Sequence, residues 1–365
     1  MMRILHISTA QSWRGGEQQV AYLIDGSGKY DVKNVLYCPR HSALHQHALN
    51  QNIPVHTFFR FNLNPFAAFT LTRLVKKYHI DLLHIHDAHA HNLVLIAYTL
   101  FGLKTKAVLH RRVDFPLQAH VLSSYKYNHP NLKKIICVSE FVQNMVARRI
   151  RDTQKLCTIY SGIETSIKVT QRPSVSLHQL FNIPGNYKII ANIAAIAPHK
   201  DYYTWVNAVQ LLKDIPQLHF MIFGEPGREW PAIKKYIAQK GLERHISFAG
   251  FRDDLEQYLT EIDILLVSSK EEGLNTSIMD AFVHRIPVVA TNAGGIPELI
   301  THRTTGWLGK VGDATSLSAG VQYVLLHPQE VSDWINNAQV FVQTKHYLEM
   351  TKQTIAVYNS VLRAK

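Results

Sequence analysis

Short apolar runs alternate with helix-length amphipathic segments along almost the whole chain, and that alternation constrains the fold more than any other feature. RILHIST (3–9), NVLYCP (34–39), DLLHIH (81–86), KAVLH (106–110) and KIICVS (134–139) read as buried strands. Segments such as 17–26, 66–79 and 91–101 fall between most of them. Strands covered on both faces lose the in–out alternation of a half-buried strand, so this pattern predicts βαβ units and a parallel sheet. After CTIYSGIE the pattern restarts with KIIANIAAI (188–196), HFMIFGE (219–225), HISFAGF (245–251), DILLVSS (263–269) and PVVATNA (287–293). The polar stretch 163–176 between the two series reads as a linker, and the residues from His346 read as a final helix with no strand after it. The expectation is an α/β protein of two doubly wound, Rossmann-like domains, 1–165 and 166–345, facing across a cleft. Ligands of such sheets collect at the C-terminal ends of the strands.

The length of 365 residues fits two cores better than one. With 46% hydrophobic and 18% charged residues the chain has the composition of a globular protein, not of a disordered one. Cys38, Cys137 and Cys157 are widely spaced and include no C-x-x-C, so neither a disulfide framework nor a zinc site is implied, and a reducing cytoplasm fits. The start, MMRILHISTA, lacks the apolar run of a signal peptide, and NLVLIAYTLFGL (92–103) falls short of the ~18 residues that span a bilayer. Charge is uneven. Residues 1–165 carry 20 Lys and Arg against 9 Asp and Glu, a balance of +11, whereas 166–365 carry 19 against 18, a balance of +1. The basic half is expected to meet something anionic: a membrane surface, a phosphorylated substrate or nucleic acid.

The corners after the strands hold the residues with chemistry. Gly15 and Gly16 open a helix whose free N–H groups could receive a phosphate or an acceptor hydroxyl. The dinucleotide fingerprint G-x-G-x-x-G is absent, which weakens a dehydrogenase reading. HIHDAHAH (84–91) places His84 and His86 on one face of a strand, with His89 and His91 just beyond; cleft-lining proton donors, a metal site and plain scaffold all remain open. LHRRVDFP (109–116) brings His110, Arg111, Arg112 and Asp114 to another strand end, where basic residues suit a phosphate or an acidic acceptor. In the second half Lys200 follows the first strand as a point charge for a phosphate, and Gly227 and Arg228 follow the next. KEEGLNTSIMDAF (270–282) then sets Glu272 and Asp280 seven intervening residues apart. With Ser277 as N-cap, Asp280 falls at the third helical position of a near capping box. The amides of Asn275, Thr276 and Ser277 lie where helix N-termini hold anions. Gly294 and Gly295 downstream permit close backbone approach.

Taken in order, WRGGEQQV, HIHDAHAH, HRRVDFP, ICVSE, IYSGIE, PHKD, EEGLNTSIMDAF and PVVATNAGGIPELI resemble the retaining GT-B glycosyltransferases of family 4 along nearly the whole chain. The resemblance implies two Rossmann-like domains, the second holding a nucleotide-diphospho-sugar and the first, completed by the final helix 346–365, facing the acceptor. It places Glu272 on the donor-sugar hydroxyls and Asp280, where the family has Glu, on the ribose. The family's Arg and Lys on the diphosphate fall on Ala195 and Lys200, so Lys200 carries more of the charge, joined by Arg228, the Thr276/Ser277 helix start and Gly15–Gly16. His110 or one of the histidines in 84–91 is the candidate base, with His86, His89, Arg111 and Arg112 on the acceptor side. No Asp-x-Asp occurs, and no metal or other cofactor is expected. The acceptor is expected to be a saccharide or a lipid-linked glycan in cell-surface glycan synthesis, met at the inner face of an anionic membrane, which FFRFNLNPFAAF (58–69) could touch. The rival readings are a sugar-nucleotide 2-epimerase and a basic nucleic-acid binder; the latter conflicts with basic residues that gather at strand ends.

Overall fold

The structure, a computed structural model, describes residues 1–59, 64–113, 121–166 and 173–363. The chain forms two compact units, Met1–Ile163 with Lys345–Lys365, and Glu164–Thr344.

In the first unit the chain runs β1 (Met2–Ile7), α1 (Gly15–Ser27), β2 (Val32–Pro39), α2 (Ala43–Asn50), β3 (Val55–Phe58), α3 (Pro65–Lys77), β4 (Leu82–Ile85), α4 (Ala88–Leu100), β5 (Ala107–Arg111), α5 (Val121–Tyr127), β6 (Leu132–Cys137), α6 (Glu140–Ala147) and β7 (Leu156–Thr158). The strands pair in parallel in the order β3-β2-β1-β4-β5-β6-β7. Every residue of β4 and β5 is buried, which is why both read as apolar runs without alternation. Strand order reverses between β1 and β4, so the crevice beyond their C-terminal ends is the topological switch point. The C-terminal helix (Tyr347–Arg363) returns to this unit and closes its core, where Met350, Ile355, Tyr358 and Val361 pack with Ile4, Leu23, Leu82 and Ile136. It lies against glycines: a Cβ on Gly162 would stand 2.4 Å from Tyr347 Cα, and one on Gly26 would stand 2.5 Å from Thr351 Oγ1.

The second unit contains α7 (Leu177–Leu180), β8 (Lys188–Ile193), α8 (Tyr202–Leu212), β9 (Leu218–Phe223), α9 (Trp230–Gln239), β10 (Ile246–Gly250), β11 (Ile264–Val267), α10 (Thr276–Val283), β12 (Val288–Thr291), β13 (Trp307–Gly309), α11 (Ala314–Leu326) and α12 (Pro328–Gln343). Its sheet is also parallel, ordered β10-β9-β8-β11-β12-β13, with the switch point between β8 and β11. Trp205, Phe220, Leu266, Val289, Leu317 and Trp334 meet in its core. Within the stretch read as a linker, 167–172 lie outside the described residues, and Ser176 N-caps α7. Asp114, singled out from the sequence, and residues 60–63 of the aromatic stretch also lie outside them. No described helix is long and apolar enough to cross a membrane.

Candidate functional site

Two loops leave the switch point of the second unit, one after β8 and one after β11. The first is laid flat on the loop after β9. Ala194 N donates to Phe223 O at 2.9 Å and Ile196 N to Glu225 O at 3.0 Å. A Cβ on Gly224 would stand 2.1 Å from Ala194 O, and one on Gly227 1.8 Å from Ile196 O, so only glycine fits at either place. A 3₁₀ turn over Pro198–Lys200 follows, and Asp201, at φ 49°, caps α8 by accepting from Thr204 N at 3.4 Å and also accepts from Thr204 Oγ1 at 2.6 Å. This turn aims Lys200 at the second loop. Lys200 Nζ meets Glu272 Oε2 at 2.5 Å, and Ser269 Oγ and Asn275 Nδ2 each donate to the same oxygen at 3.2 Å. Oε2 is therefore spent on protein donors, whereas Oε1 accepts from no described residue. The backbone of Glu272 is equally fixed: Gly295 N donates to Glu272 O at 2.8 Å, and Gly294, at φ 52°, brings the chain so close that a Cβ would stand 2.0 Å from that oxygen. Gly294 and Gly295 thus provide the close approach expected of them.

The start of α10 corrects the sequence reading. Asn275, not Ser277, is the N-cap, its side chain accepting from Ile278 N at 3.3 Å. Ser277 is the second helical residue, and its Oγ donates instead to Ile193 O at 2.9 Å, tying the helix to the end of β8. Asp280 accordingly sits in the second turn, beyond reach of a capping box, and its carboxylate accepts no hydrogen bond from a described residue. Burial, reinforced by the like charge of Glu256, pushes that carboxyl up to about 7. The N–H groups of Thr276 and Ser277 have no acceptor among the described residues, as at any open helix start. Arg228 is exposed and makes no hydrogen bond or ion pair with a described residue. One loop pair therefore offers an open carboxylate oxygen, a lysine beside it, two helix-start amides and a second, unpartnered carboxyl one turn along. Such a set can take hydroxyl pairs on its carboxylates and anionic oxygens on its donors.

At the switch point of the first unit the sequence-predicted histidines are joined by one that sequence reasoning missed. His6, on β1, stands in register with His84 of β4. Its Nδ1 lies 3.0 Å from His86 Nε2, and its Nε2 lies 3.0 Å from Asn34 Oδ1. His84 Nδ1 lies 2.5 Å from Tyr358 OH on the C-terminal helix. Arg112 Nη1 lies 3.4 Å from His86 Nδ1, and its Nη2 lies 3.1 Å from His110 Nδ1. Burial holds all four rings in the neutral form, His6 down to about 4 and His84, His86 and His110 well below the ordinary histidine range. Burial also lowers Arg112, to about 10, against the raising fields of Glu17 and Asp87. Arg111 turns the other way, its Nη1 donating to Tyr127 OH at 3.1 Å, and His89 is exposed in the first turn of α4. Gly15 and Gly16 open α1, and a Cβ on Gly16 would stand 3.9 Å from Arg112 Cδ.

One nitrogen each of His6, His84 and His86 falls within 4.8 Å of the others, close enough to suggest a metal site. Their hydrogen bonds point elsewhere. A guanidinium only donates, so His86 Nδ1 accepts and its Nε2 carries the proton that is given to His6 Nδ1. An ion would have to displace that proton and sit beside the Arg112 cation.

The sequence matches two family models, "Glycosyl transferases group 1" over residues 176–341 and "Glycosyltransferase Family 4" over 13–167. Among curated proteins it is 23% identical over 297 residues to N-acetyl-alpha-D-glucosaminyl L-malate synthase of Bacillus anthracis, covering 74% of each chain. It is 28% identical over 213 residues to the amylovoran biosynthesis glycosyltransferase AmsK of Erwinia amylovora, covering 55% of this chain and 50% of that one. Among solved structures, HepE of Anabaena in complex with UDP and glucose superposes with a TM-score of 0.86 at 20% identity, over 99% of this chain and 100% of that one.

Proposed function

This chain belongs to the family 4, group 1 glycosyltransferases and has their fold of two Rossmann-like α/β units, and we propose that it moves a sugar from a nucleotide-diphospho-sugar to a saccharide or lipid-linked acceptor with retention of anomeric configuration. The observation that carries the proposal is Glu272, clamped through Oε2 by Lys200, Ser269 and Asn275 with Oε1 left open at the switch point of the second unit. In this reading Oε1 receives donor-sugar hydroxyls and Asp280 the ribose diol. Lys200 and the amides of Thr276 and Ser277 take the diphosphate, joined by Arg228. As the glycosidic bond breaks, negative charge grows on the leaving diphosphate, and preorganised donors of this kind are worth about 3–4 kcal/mol each in an enclosed site. His86, His89, His110 and Arg112 form the acceptor side, whereas Arg111, expected there from the sequence, is turned away to Tyr127. The Anabaena structure, which holds UDP with glucose, agrees with a nucleotide-sugar donor.

An acceptor at an anionic lipid surface would use the excess charge of residues 1–165, and Phe59, Phe66 and Phe69 are exposed on that unit. Nucleic-acid binding has little to stand on here, because Arg111 and Arg112 are bonded inward to Tyr127, His86 and His110. The test is a transfer assay with a panel of nucleotide-diphospho-sugars and lipid-linked glycan acceptors, the product read by NMR. Acceptor-dependent transfer with the donor's anomeric configuration kept is the expected result. Inversion would overturn the retaining mechanism, and acceptor-free isomerisation of the donor would favour the 2-epimerase.

A further inference from the structure

We infer that Arg112 is a positioning residue of the acceptor side, which locks His86 and His110 into single tautomers and so presents His110 as a hydrogen-bond donor instead of a base. The inference rests on the reading that puts the acceptor against this unit, but its chemistry follows from the bonds alone. Guanidinium has donors and no acceptor, so each ring nitrogen facing Arg112 must offer a lone pair. His110 Nδ1, 3.1 Å from Arg112 Nη2, is therefore unprotonated, and the ring of this neutral histidine carries its proton on Nε2. The same rule at His86 puts its proton on Nε2, from where it is donated to His6 Nδ1. His6 must then donate from Nε2 to Asn34 Oδ1. The far end of the chain checks this direction independently. Ser27 Oγ spends its proton on Ile24 O at 2.7 Å and so accepts from Asn34 Nδ2 at 2.6 Å, which fixes the amide with its oxygen towards His6. Every bond from Arg112 to Asn34 thus runs one way, with no donor facing a donor.

The free end is His110 Nε2. It is buried, carries the proton and has no hydrogen-bond partner among the described residues, an arrangement that costs stability unless a ligand supplies an acceptor. A hydroxyl or carboxylate oxygen of an acceptor would meet that demand. Abstraction of a proton by the same nitrogen is closed, because its lone pair is absent while Arg112 holds the other side of the ring.

The experiment is two-bond ¹H–¹⁵N NMR of the full-length protein with ¹⁵N-labelled histidine, combined with kinetics. The expected spectrum shows His6, His86 and His110 as neutral rings protonated at Nε2. Protonation of His110 at Nδ1 would overturn the inference whatever the activity. In Arg112→Met the His110 signal is expected to become a tautomer mixture, with kcat lower by roughly 10–100-fold, the range for outer residues that orient a ligating side chain, and donor KM unchanged. Arg112→Lys, which keeps the charge on a single donor nitrogen but cannot fork to both rings, is expected to fall between, and serves if the Met variant does not fold. His110→Gln retains an amide N–H near the Nε2 position and is expected to be at least about tenfold more active than His110→Ala, in keeping with one lost donor; equal loss in both would overturn the donor role. Full activity of His110→Ala, when the wild-type spectrum shows the Nε2–H tautomer, would overturn the acceptor-side reading alone.

Discussion

Asp280→Asn separates ligand from scaffold, because the two roles predict opposite signs for stability. The carboxyl lies in the second turn of α10 with no hydrogen-bond donor among the described residues, and burial raises it to about 7. In the unfolded chain the same group titrates near 3.9. The native state therefore binds the extra proton between these values, so the wild type loses stability as pH rises from about 4 to about 7 and then levels off. A displacement of about 3 pH units corresponds to about 4 kcal/mol. Because the side chain is still partly open to water, about 2–3 kcal/mol is the working figure. Asn has the same shape and no charge to desolvate. The variant is expected to gain little near pH 4 and about 4–12 °C in Tm near pH 8, at about 2–4 °C per kcal/mol for a unit of this size. Thermal unfolding of both proteins across that range cancels the carboxylates they share and leaves the Asp280 contribution. In parallel, nucleoside diphosphate should bind the variant about 10–100-fold more weakly, the worth of a charged hydrogen bond to a ribose hydroxyl. A variant destabilised at every pH would refute the reasoning and restore a structural role to Asp280.

Three further outcomes follow from the same geometry. Glu272→Ala should lower transfer by at least about 10³-fold while the near-UV CD spectrum stays native, since a carboxylate with two charged hydrogen bonds at about 1.5–3 kcal/mol each is lost; wild-type turnover would remove Glu272 from the site. Gly294→Ala forces a Cβ to within 2.0 Å of Glu272 O at a φ of 52°. It should cost about 1–3 kcal/mol in urea denaturation and reduce transfer with it. A chain truncated before Lys345 loses Met350, Ile355, Tyr358 and Val361 from the core of the first unit. At about 1.5–3 kcal/mol per buried side chain that is comparable to the whole stability of a domain, so limited proteolysis should degrade residues 1–163 and spare the second unit.

Much of this was legible in the sequence, for physical reasons that differ from place to place. The central strands announce themselves because both faces are covered, as in β4 and β5, where every residue is apolar or histidine up to the last. The edge strands β3, β7 and β13 are three or four residues long and half-covered, too short for a run or an alternation to stand out. The helix cap was misread because Asn275, Thr276 and Ser277 are all acceptable caps by type. What decides between them is Ser277 Oγ reaching Ile193 O, a contact across 84 residues that local spacing does not contain. His6 was passed over for a similar reason. One histidine in RILHIST carries no signal until the parallel register sets it beside His84, and Tyr358 joins them only because the last helix returns to the first unit. Glu272 stands out in the sequence because it precedes its helix, where no capping duty competes for the carboxylate.

The most direct measurement is the shift in Tm of wild type and Glu272→Ala with nucleoside diphosphates and with their sugar conjugates. A ligand at about 100 times its Kd contributes about 2.7 kcal/mol to the folded state, or about 5–11 °C here. If Glu272 Oε1 holds the donor sugar, one nucleoside diphosphate should stabilise both proteins alike, and its sugar conjugate should add a further shift in the wild type alone. The same added shift in Glu272→Ala, or no response of the wild type to any nucleotide-diphospho-sugar, would contradict the account.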